Sequence, residues 1–374
     1  MGGIFSREST ASREPIRIVN CSGHPYEIGF QHGKEAAQHI HRSLLFYKAL
    51  FKKTSNLEWP AVCETALRFL PLLKQGWQHS LLIAIVTKGV AEGAGVDFES
   101  ILALNVRTEI AYGMATDGCT VLSWKAGEAS FLAQNWDWQH EQKENLICLK
   151  IQQQGKPITI HMITEAGIIG KIGLNSAGVG VTLNAIKAHG VDYSRLPVHL
   201  ALRTVLESSS VKEAMGRLKE SGVASACHIT VADCEGGLGL ECSSADIVPL
   251  EMTDGKTTHT NHYLASHGDI QDIMYLPDTV FRLQRIRELV RDAEQSNAEP
   301  STERISTLFK DEKNYPASIC RAEANGSTEA TLFNIVMDLK NKKATVAIGR
   351  PTQADETLLL NPISQTTDAA QVDA

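Results

Sequence analysis

Residues 116–124 read TDGCTVLSW, and the chain changes character across them. From Pro25 to about Thr116 the apolar residues recur at intervals of three and four. YEIGFQHGKEAAQHIHRSLLFYKALF, SLLIAIVTKGVAEGAG and DFESILALNVRTEIAYG therefore predict helices. From Cys119 onward TVLSW, FLAQNWDW, NLICLKIQQQ and ITIHMIT are short, rich in β-formers and separated by turn signals, which predicts consecutive antiparallel strands. Taken locally, Asp117 and Gly118 make a turn and Cys119 opens a half-buried strand as a small apolar residue would.

Further along, IIGKIGLNSAGVGVTLNAI predicts a hairpin around Asn175–Gly178, and VHLALRTVLESSSVKEAMGRLKES one or two helices. HITVADCEGGLGLECSS returns to strands, DTVFRLQRIRELVRDAEQ and STERISTLFKD are helical, and TLFNIVMDLKNKKATVAIG closes with a hairpin near Asn341. Alternating blocks of strands and helices with antiparallel pairings describe a layered α+β domain rather than a parallel βαβ sheet. The glycines after Ile168 form no dinucleotide fingerprint, since no GxGxxG follows a strand and opens a helix. Residues 1–15 and 363–374 read as polar, frayed ends.

The chain has 374 residues, 43% of them hydrophobic, and a formal charge of -7, so it can bury a large core and offers no basic footprint for nucleic acid. Eight scattered cysteines without CxxC pairs fit reduced thiols rather than a disulfide framework. No secretory signal and no apolar run of transmembrane length is present. Cytoplasm is the expected compartment, and the sequons at Asn20 and Asn325 are expected to stay unmodified. Met1-Gly2-Gly3-Ile4-Phe5-Ser6 fits the myristoylation pattern with Gly2 as acceptor, and one acyl chain there gives only marginal, reversible membrane binding.

Four polar clusters stand in apolar surroundings: Gly118-Cys119-Thr120, Gln134-Asn135-Trp136-Asp137, His259-Thr260-Asn261-His262 and Ser318-Ile319-Cys320-Arg321. Each has a plain structural reading, with Asp137 capping a turn, Asn261 satisfying backbone, Arg321 pairing with a surface acid and the histidines solvated in a loop. His259 and His262 lack a neighbouring carboxylate pattern for a metal, so no metal is expected. A papain-like site lacks its signature around Cys119. A third arrangement uses Cys119 differently. If the Gly118–Cys119 bond is cut, Cys119 carries both a thiol nucleophile and a free α-amine whose ordinary pKa, about 7.7 to 8.0, lets it take the thiol proton near neutral pH. Glycine before the cysteine suits such a cut, because it leaves the carbonyl open and tolerates strained angles.

DGCT, QNWD, HTNH and YPASICR, together with GHPYEIGFQHG, LNVRTEIAYG, TEAGIIGKIGLNSAGV, ATLFNIV and GRPTQADE, resemble the acyl-CoA:6-aminopenicillanic acid acyltransferase (isopenicillin N acyltransferase) family of the N-terminal-nucleophile hydrolases. The resemblance covers nearly the whole chain. It implies a four-layer αββα sandwich of two antiparallel sheets, self-cleaved into a mostly helical 1–118 fragment and a catalytic 119–374 fragment that fold as one unit and stay together as a heterodimer. It implies Cys119 as cleavage-site residue and nucleophile, Asp137 as the carboxylate orienting the new α-amine, Asn261 as oxyanion donor and Arg321 as the charge beside Cys119 and Asp137. No cofactor is expected. Acyl-CoA would be a co-substrate, with 6-aminopenicillanic acid or isopenicillin N as the other small-molecule partner.

Two departures stand out. Penicillin-making members carry a second threonine after the nucleophile, where this chain has Val121, so slower cleavage is expected. Those members also end in a peroxisomal signal, which AAQVDA is not. Two alternatives stay beside the acyltransferase: an amidohydrolase of N-acyl amides, and an uncleaved, non-catalytic relative.

Overall fold

Alternation along the strand after Cys119 sorts its side chains into two cores. Cys119 and Val121 belong to the principal apolar core, while Leu122 and Trp124 join a second one with Ile286, Val290, Ile305 and Phe309, as the period-two direction of strand side chains dictates. A computed structural model describes residues 14–74, 78–110, 118–273, 277–295 and 299–363. Gly2, Asp117 and the tail after residue 363 lie outside the described residues.

In chain order the elements are β1 (Arg17–Gly23), α1 (Pro25–Glu35), α2 (Ala37–Ser55), α3 (Trp59–Leu67), α4 (Leu70–Lys74), α5 (Gln78–Ala94), α6 (Phe98–Asn105) and α7 (Arg107–Ile110). Beyond Cys119 come β2 (Thr120–Ala126), β3 (Ala129–Gln139), β4 (Leu146–Gln153), β5 (Thr159–Glu165), β6 (Ile172–Asn175), β7 (Gly180–Ala185), α8 (Val198–Leu206) and α9 (Val211–Ser221). The chain continues with β8 (Cys227–Asp233), β9 (Gly236–Cys242), β10 (Ile247–Leu250), β11 (Lys256–His259), α10 (Thr279–Gln295), α11 (Thr302–Leu308), β12 (Glu329–Asp338), β13 (Lys343–Ile348) and β14 (Glu356–Leu360).

The strands form an eight-stranded sheet, β1-β4-β5-β6-β7-β8-β9-β10, and a six-stranded sheet, β11-β2-β3-β12-β13-β14. β2 and β3 face β7, β8 and β9. Helices α1, α8 and α9 pack on the larger sheet, and α10 and α11 on the smaller. This is the four-layer αββα sandwich of an α+β chain, with two amendments. The strands after Cys119 are not one consecutive meander: β2 and β3 pair in the smaller sheet, whereas a 3-10 turn, His140–Asn145, carries the chain across to β4 in the larger. The larger sheet is also not wholly antiparallel. β1 lies parallel to β4 from Arg17↔Ile147 to Gly23↔Gln153, which the residues before Cys119 permit because helices separate the two strands in sequence.

One contact packs the helical residues against each other, and a second ties them to the strands. Helices α1 and α5 touch through glycines: a Cβ at Gly29 or Gly33 would lie 2.1 Å from the carbonyl oxygen of Val86 or Val90, and one at Gly93 would lie 2.2 Å from that of Phe30. Only residues without a side chain allow backbones so near. Second, the buried Glu165 carboxylate of β5 gathers Arg107 at 2.8 Å, Lys171 at 3.0 Å, Gln142 at 3.2 Å and the Tyr47 hydroxyl. Burial opposes its ionisation, but Arg107 and Lys171 outweigh that and hold the carboxyl down at about 2. Nearby, the Gly167 N–H donates to His32 Nε2 at 3.1 Å, and burial pushes that imidazole down to about 3.

Candidate active site

Four adjacent strands of the smaller sheet deliver the four sequence clusters to one end. The pairing Thr120↔Asn135 brings Asp137 beside Gly118, and Val121↔His259 brings Asn261 beside Cys119. Asp137↔Thr331 sets β12 next, with Arg321 in the segment leading to it. Cys119, Asp137, Asn261 and Arg321 are all buried. Residues far apart in sequence thus meet because the register of β11-β2-β3-β12 aligns them.

The contacts around Cys119 are specific. Its backbone N–H donates to Asn261 Oδ1 at 2.8 Å, and its carbonyl oxygen accepts from Arg282 Nη1 at 2.6 Å. Asn261 Nδ2 donates to the Ala185 carbonyl at 3.0 Å, and the Asn261 N–H donates to Thr279 Oγ1 at 2.7 Å. Asp137 accepts from Thr331 Oγ1 at 2.7 Å and from Arg321 Nε at 3.4 Å. Arg321 Nη2 and Arg282 Nε both donate to Asp278 Oδ2, at 2.5 Å and 2.6 Å. The result is an alternating chain, Asp137–Arg321–Asp278–Arg282, buried except at the half-buried Asp278 and ending on Cys119.

The electrostatics of the two aspartates differ. Burial pushes Asp137 up to about 7, against the pull of Arg321 and Arg282, so this carboxyl exchanges its proton near neutral pH. Burial also opposes ionisation of Asp278, but Arg282 and Arg321 outweigh it and hold that carboxyl below its ordinary range.

Several expectations change shape here. Asp137 lies within β3 rather than capping a turn. In the uncut chain the Cys119 nitrogen faces Asn261 Oδ1, while Asp137 is engaged by Thr331 and Arg321. Gly118 does not need a left-handed angle: a Cβ there would meet Arg321 Nε at 2.6 Å, so the requirement is space. Val121 is packed in the principal core, and the nearest hydroxyl on this strand, Thr120 Oγ1, accepts from Arg282 at 3.3 Å. The histidines of HTNH are buried rather than solvated. His259 hydrogen-bonds Glu241 Oε1 at 2.7 Å and His262 meets Thr279 Oγ1 at 2.9 Å. Glu241 also accepts the N–H groups of Leu264 and Ala265, at 2.6 Å and 2.9 Å, which anchors the loop carrying Asn261.

Sequence reasoning missed Arg282 and Asp278. Arg282 falls on the buried stripe of α10, with Thr279, Leu283, Ile286 and Val290. An arginine on an apolar helical stripe was the available signal.

Comparison with known proteins agrees with the motif-level likeness. The family model described as Acyl-coenzyme A:6-aminopenicillanic acid acyl-transferase matches residues 124–353, beginning just beyond Cys119 and spanning Asp137, Asn261 and Arg321. A curated protein from Emericella nidulans, the 40 kDa form of acyl-coenzyme A:6-aminopenicillanic-acid-acyltransferase, is 42% identical over 350 residues, covering 91% of this chain and 95% of that protein. Among solved structures, a single-residue variant of conjugated bile acid hydrolase from Clostridium perfringens aligns with a TM-score of 0.46 at 16% identity, covering 65% of this chain and 92% of that one. Penicillin V acylase from Agrobacterium tumefaciens aligns with a TM-score of 0.39 at 12% identity, over 65% of this chain and 86% of that one.

Proposed function

Because the chain belongs to the acyl-coenzyme A:6-aminopenicillanic acid acyl-transferase family, we propose that it is a self-cleaving cysteine N-terminal-nucleophile acyltransferase that moves an acyl group from acyl-CoA onto 6-aminopenicillanic acid, the acceptor being supplied as such or released from isopenicillin N when Cys119 takes off its acyl group and water clears it. The observation that carries the proposal is the convergence of Asp137, Asn261 and Arg321 on the Gly118–Cys119 peptide, with every one of them buried.

Self-cleavage begins when Cys119 Sγ attacks the Gly118 carbonyl carbon. The C–N bond breaks, the nitrogen takes a proton, and a Gly118 thioester on Cys119 remains. Water hydrolyses it to a Gly118 carboxylate, a Cys119 thiol and a free α-amine. Asp137, able to exchange its proton near neutral pH and held on the neighbouring strand by Thr331 and Arg321, is the group proposed to handle the proton in this step.

In turnover the α-amine takes the thiol proton and Sγ attacks the acyl carbonyl of the thioester. Collapse of the tetrahedral intermediate releases CoA as a thiol and leaves the acyl group on Cys119. The amine of 6-aminopenicillanic acid then attacks, forming an amide and returning the thiol. Asn261 Nδ2 bonds the Ala185 carbonyl with one of its two hydrogens; the second serves the oxyanion, where losing one donor costs about 2.7 to 4 kcal/mol of barrier. Arg321 favours the thiolate by its charge.

Mass spectrometry under denaturing conditions tests the first half: fragments 1–118 and 119–374 are expected, and one intact chain after long incubation overturns it. The second half is tested by giving wild type and Cys119→Ala phenylacetyl-CoA with 6-aminopenicillanic acid, and isopenicillin N alone. From wild type only, the first mixture is expected to give acylated product and isopenicillin N alone to give 6-aminopenicillanic acid; activity in the alanine variant removes Cys119 from the mechanism.

A further inference from the structure

Arg282 is among the largest side chains buried without exposure, on a helix face where leucine or isoleucine would pack at less cost. All three of its nitrogens are engaged: Nε on Asp278, Nη1 on the Cys119 carbonyl and Thr120 Oγ1, Nη2 on Asn261 Oδ1 at 2.9 Å. Asn261 Oδ1 therefore takes two donors, Cys119 N and Arg282 Nη2, while Nδ2 faces the Ala185 carbonyl. That pattern fixes which way the amide points, since the reversed amide would set N–H against N–H and oxygen against oxygen.

We propose that Arg282 is the positioning residue of this site, holding Cys119 and Asn261 in register after the Gly118–Cys119 bond is gone. The inference rests on the reading of Cys119 as a self-released nucleophile and adds what keeps it in place. Before the cut, Cys119 is tethered by a peptide bond on each side. Afterwards only its C-terminal side is covalently held, and that is the side Arg282 grips. The Cys119 nitrogen changes at the same moment from an amide donor into an amine that gains and loses protons. Of the two donors on Asn261 Oδ1, only the guanidinium, which keeps its protons at every working pH, is the same in both states. Holding the nucleophile matters because a displacement of about 1 Å costs about 100-fold in rate.

The inference separates turnover from self-cleavage. Arg282→Lys and Arg282→Gln are purified, and the cut fraction is read by intact mass. The folded active fraction is read by labelling of the N-terminal Cys119 thiol, and kcat and KM for acyl transfer are measured per labelled site. Cleavage is expected to proceed within about tenfold of wild type, because the tethered chain supplies the geometry, while kcat falls about 100-fold with KM within about threefold. Lysine, which keeps the charge but cannot span Cys119 and Asn261, is expected to recover little. Wild-type kcat in the cut variants overturns the inference, as does an equal loss of cleavage and turnover. Should neither variant fold, Asp278→Asn loosens the guanidinium without deleting it, and wild-type kcat there overturns the inference too. Cys119→Ala runs alongside: cleavage or activity in that variant defeats the underlying reading, whatever Arg282 does.

Discussion

Gly118 lies against the guanidinium of Arg321: a Cβ built on the glycine would sit 2.6 Å from Nε, 2.7 Å from Nη2 and 2.9 Å from Cζ. The guanidinium cannot step aside cheaply, because Asp137, Asp278 and Glu329 surround it. Glycine before Cys119 is a packing requirement imposed by a residue about two hundred positions away.

Gly118→Ala is therefore expected to remain uncut. The added methyl displaces either Arg321 or the scissile carbonyl, and misplacing reacting atoms by about 1 Å costs about 100-fold. Intact mass over several days measures it, and cleavage at the wild-type rate rules out the steric account.

Asp137 predicts how the uncut protein responds to pH. Its folded pKa, about 7, lies above the ordinary 3.8, so the native state binds the proton more tightly than the unfolded chain does. The stability it contributes is full below about 4 and is lost as pH rises to about 7, amounting to a few kcal/mol, or about 1.4 kcal/mol per pH unit. Thermal unfolding of Cys119→Ala, expected to stay uncut, is expected to show this decline, and Cys119→Ala with Asp137→Asn to flatten it. Parallel profiles for the two would show that Asp137 is not the group responsible.

The α1–α5 contact predicts opposite outcomes for two glycines. Gly33→Ala drives a methyl to 2.1 Å from the Val90 carbonyl and is expected to cost about 3 kcal/mol or more. Gly216→Ala, on α9 with nothing within 4 Å, is expected to stabilise by up to about 1 kcal/mol through helix propensity. Denaturant midpoints compare them, and equal shifts contradict the packing reading.

Glu165→Gln removes the carboxylate that gathers Arg107 and Lys171. Both buried cations lose this counter-charge, at an expected cost of about 3 to 5 kcal/mol. A melting temperature unchanged from wild type would mean that the ion cluster contributes nothing net.

Local pattern carried much of this chain into view. The hairpin at Asn175 was legible because Asn175 Oδ1 accepts the N–H groups of Ala177 and Val179 within the turn itself. The two amphipathic helices α10 and α11 were legible from their spacing. What stayed hidden was every relation set by distant partners. β1 is a strand because β4 lies beside it, β3 and β4 part company across a six-residue turn, and the short β11 is held by β2. At the site the motif residues were visible as residue types, but Arg282 was concealed by its own helix, whose periodicity suits a leucine at that place equally well.

The parallel pairing of β1 with β4 has one more consequence, for the lifetime of the molecule. A strand from before residue 118 is laced along seven residue pairs to one from after it, so the sheet is complete only while both pieces are present. In the form cut at Gly118–Cys119 that we propose, unfolding would become separation, and refolding an encounter of two molecules whose success falls with dilution. The uncut chain can recover from denaturation by itself. The proposed cut form lacks that ability, and its durability would be governed by how slowly it comes apart rather than by an equilibrium it can return to.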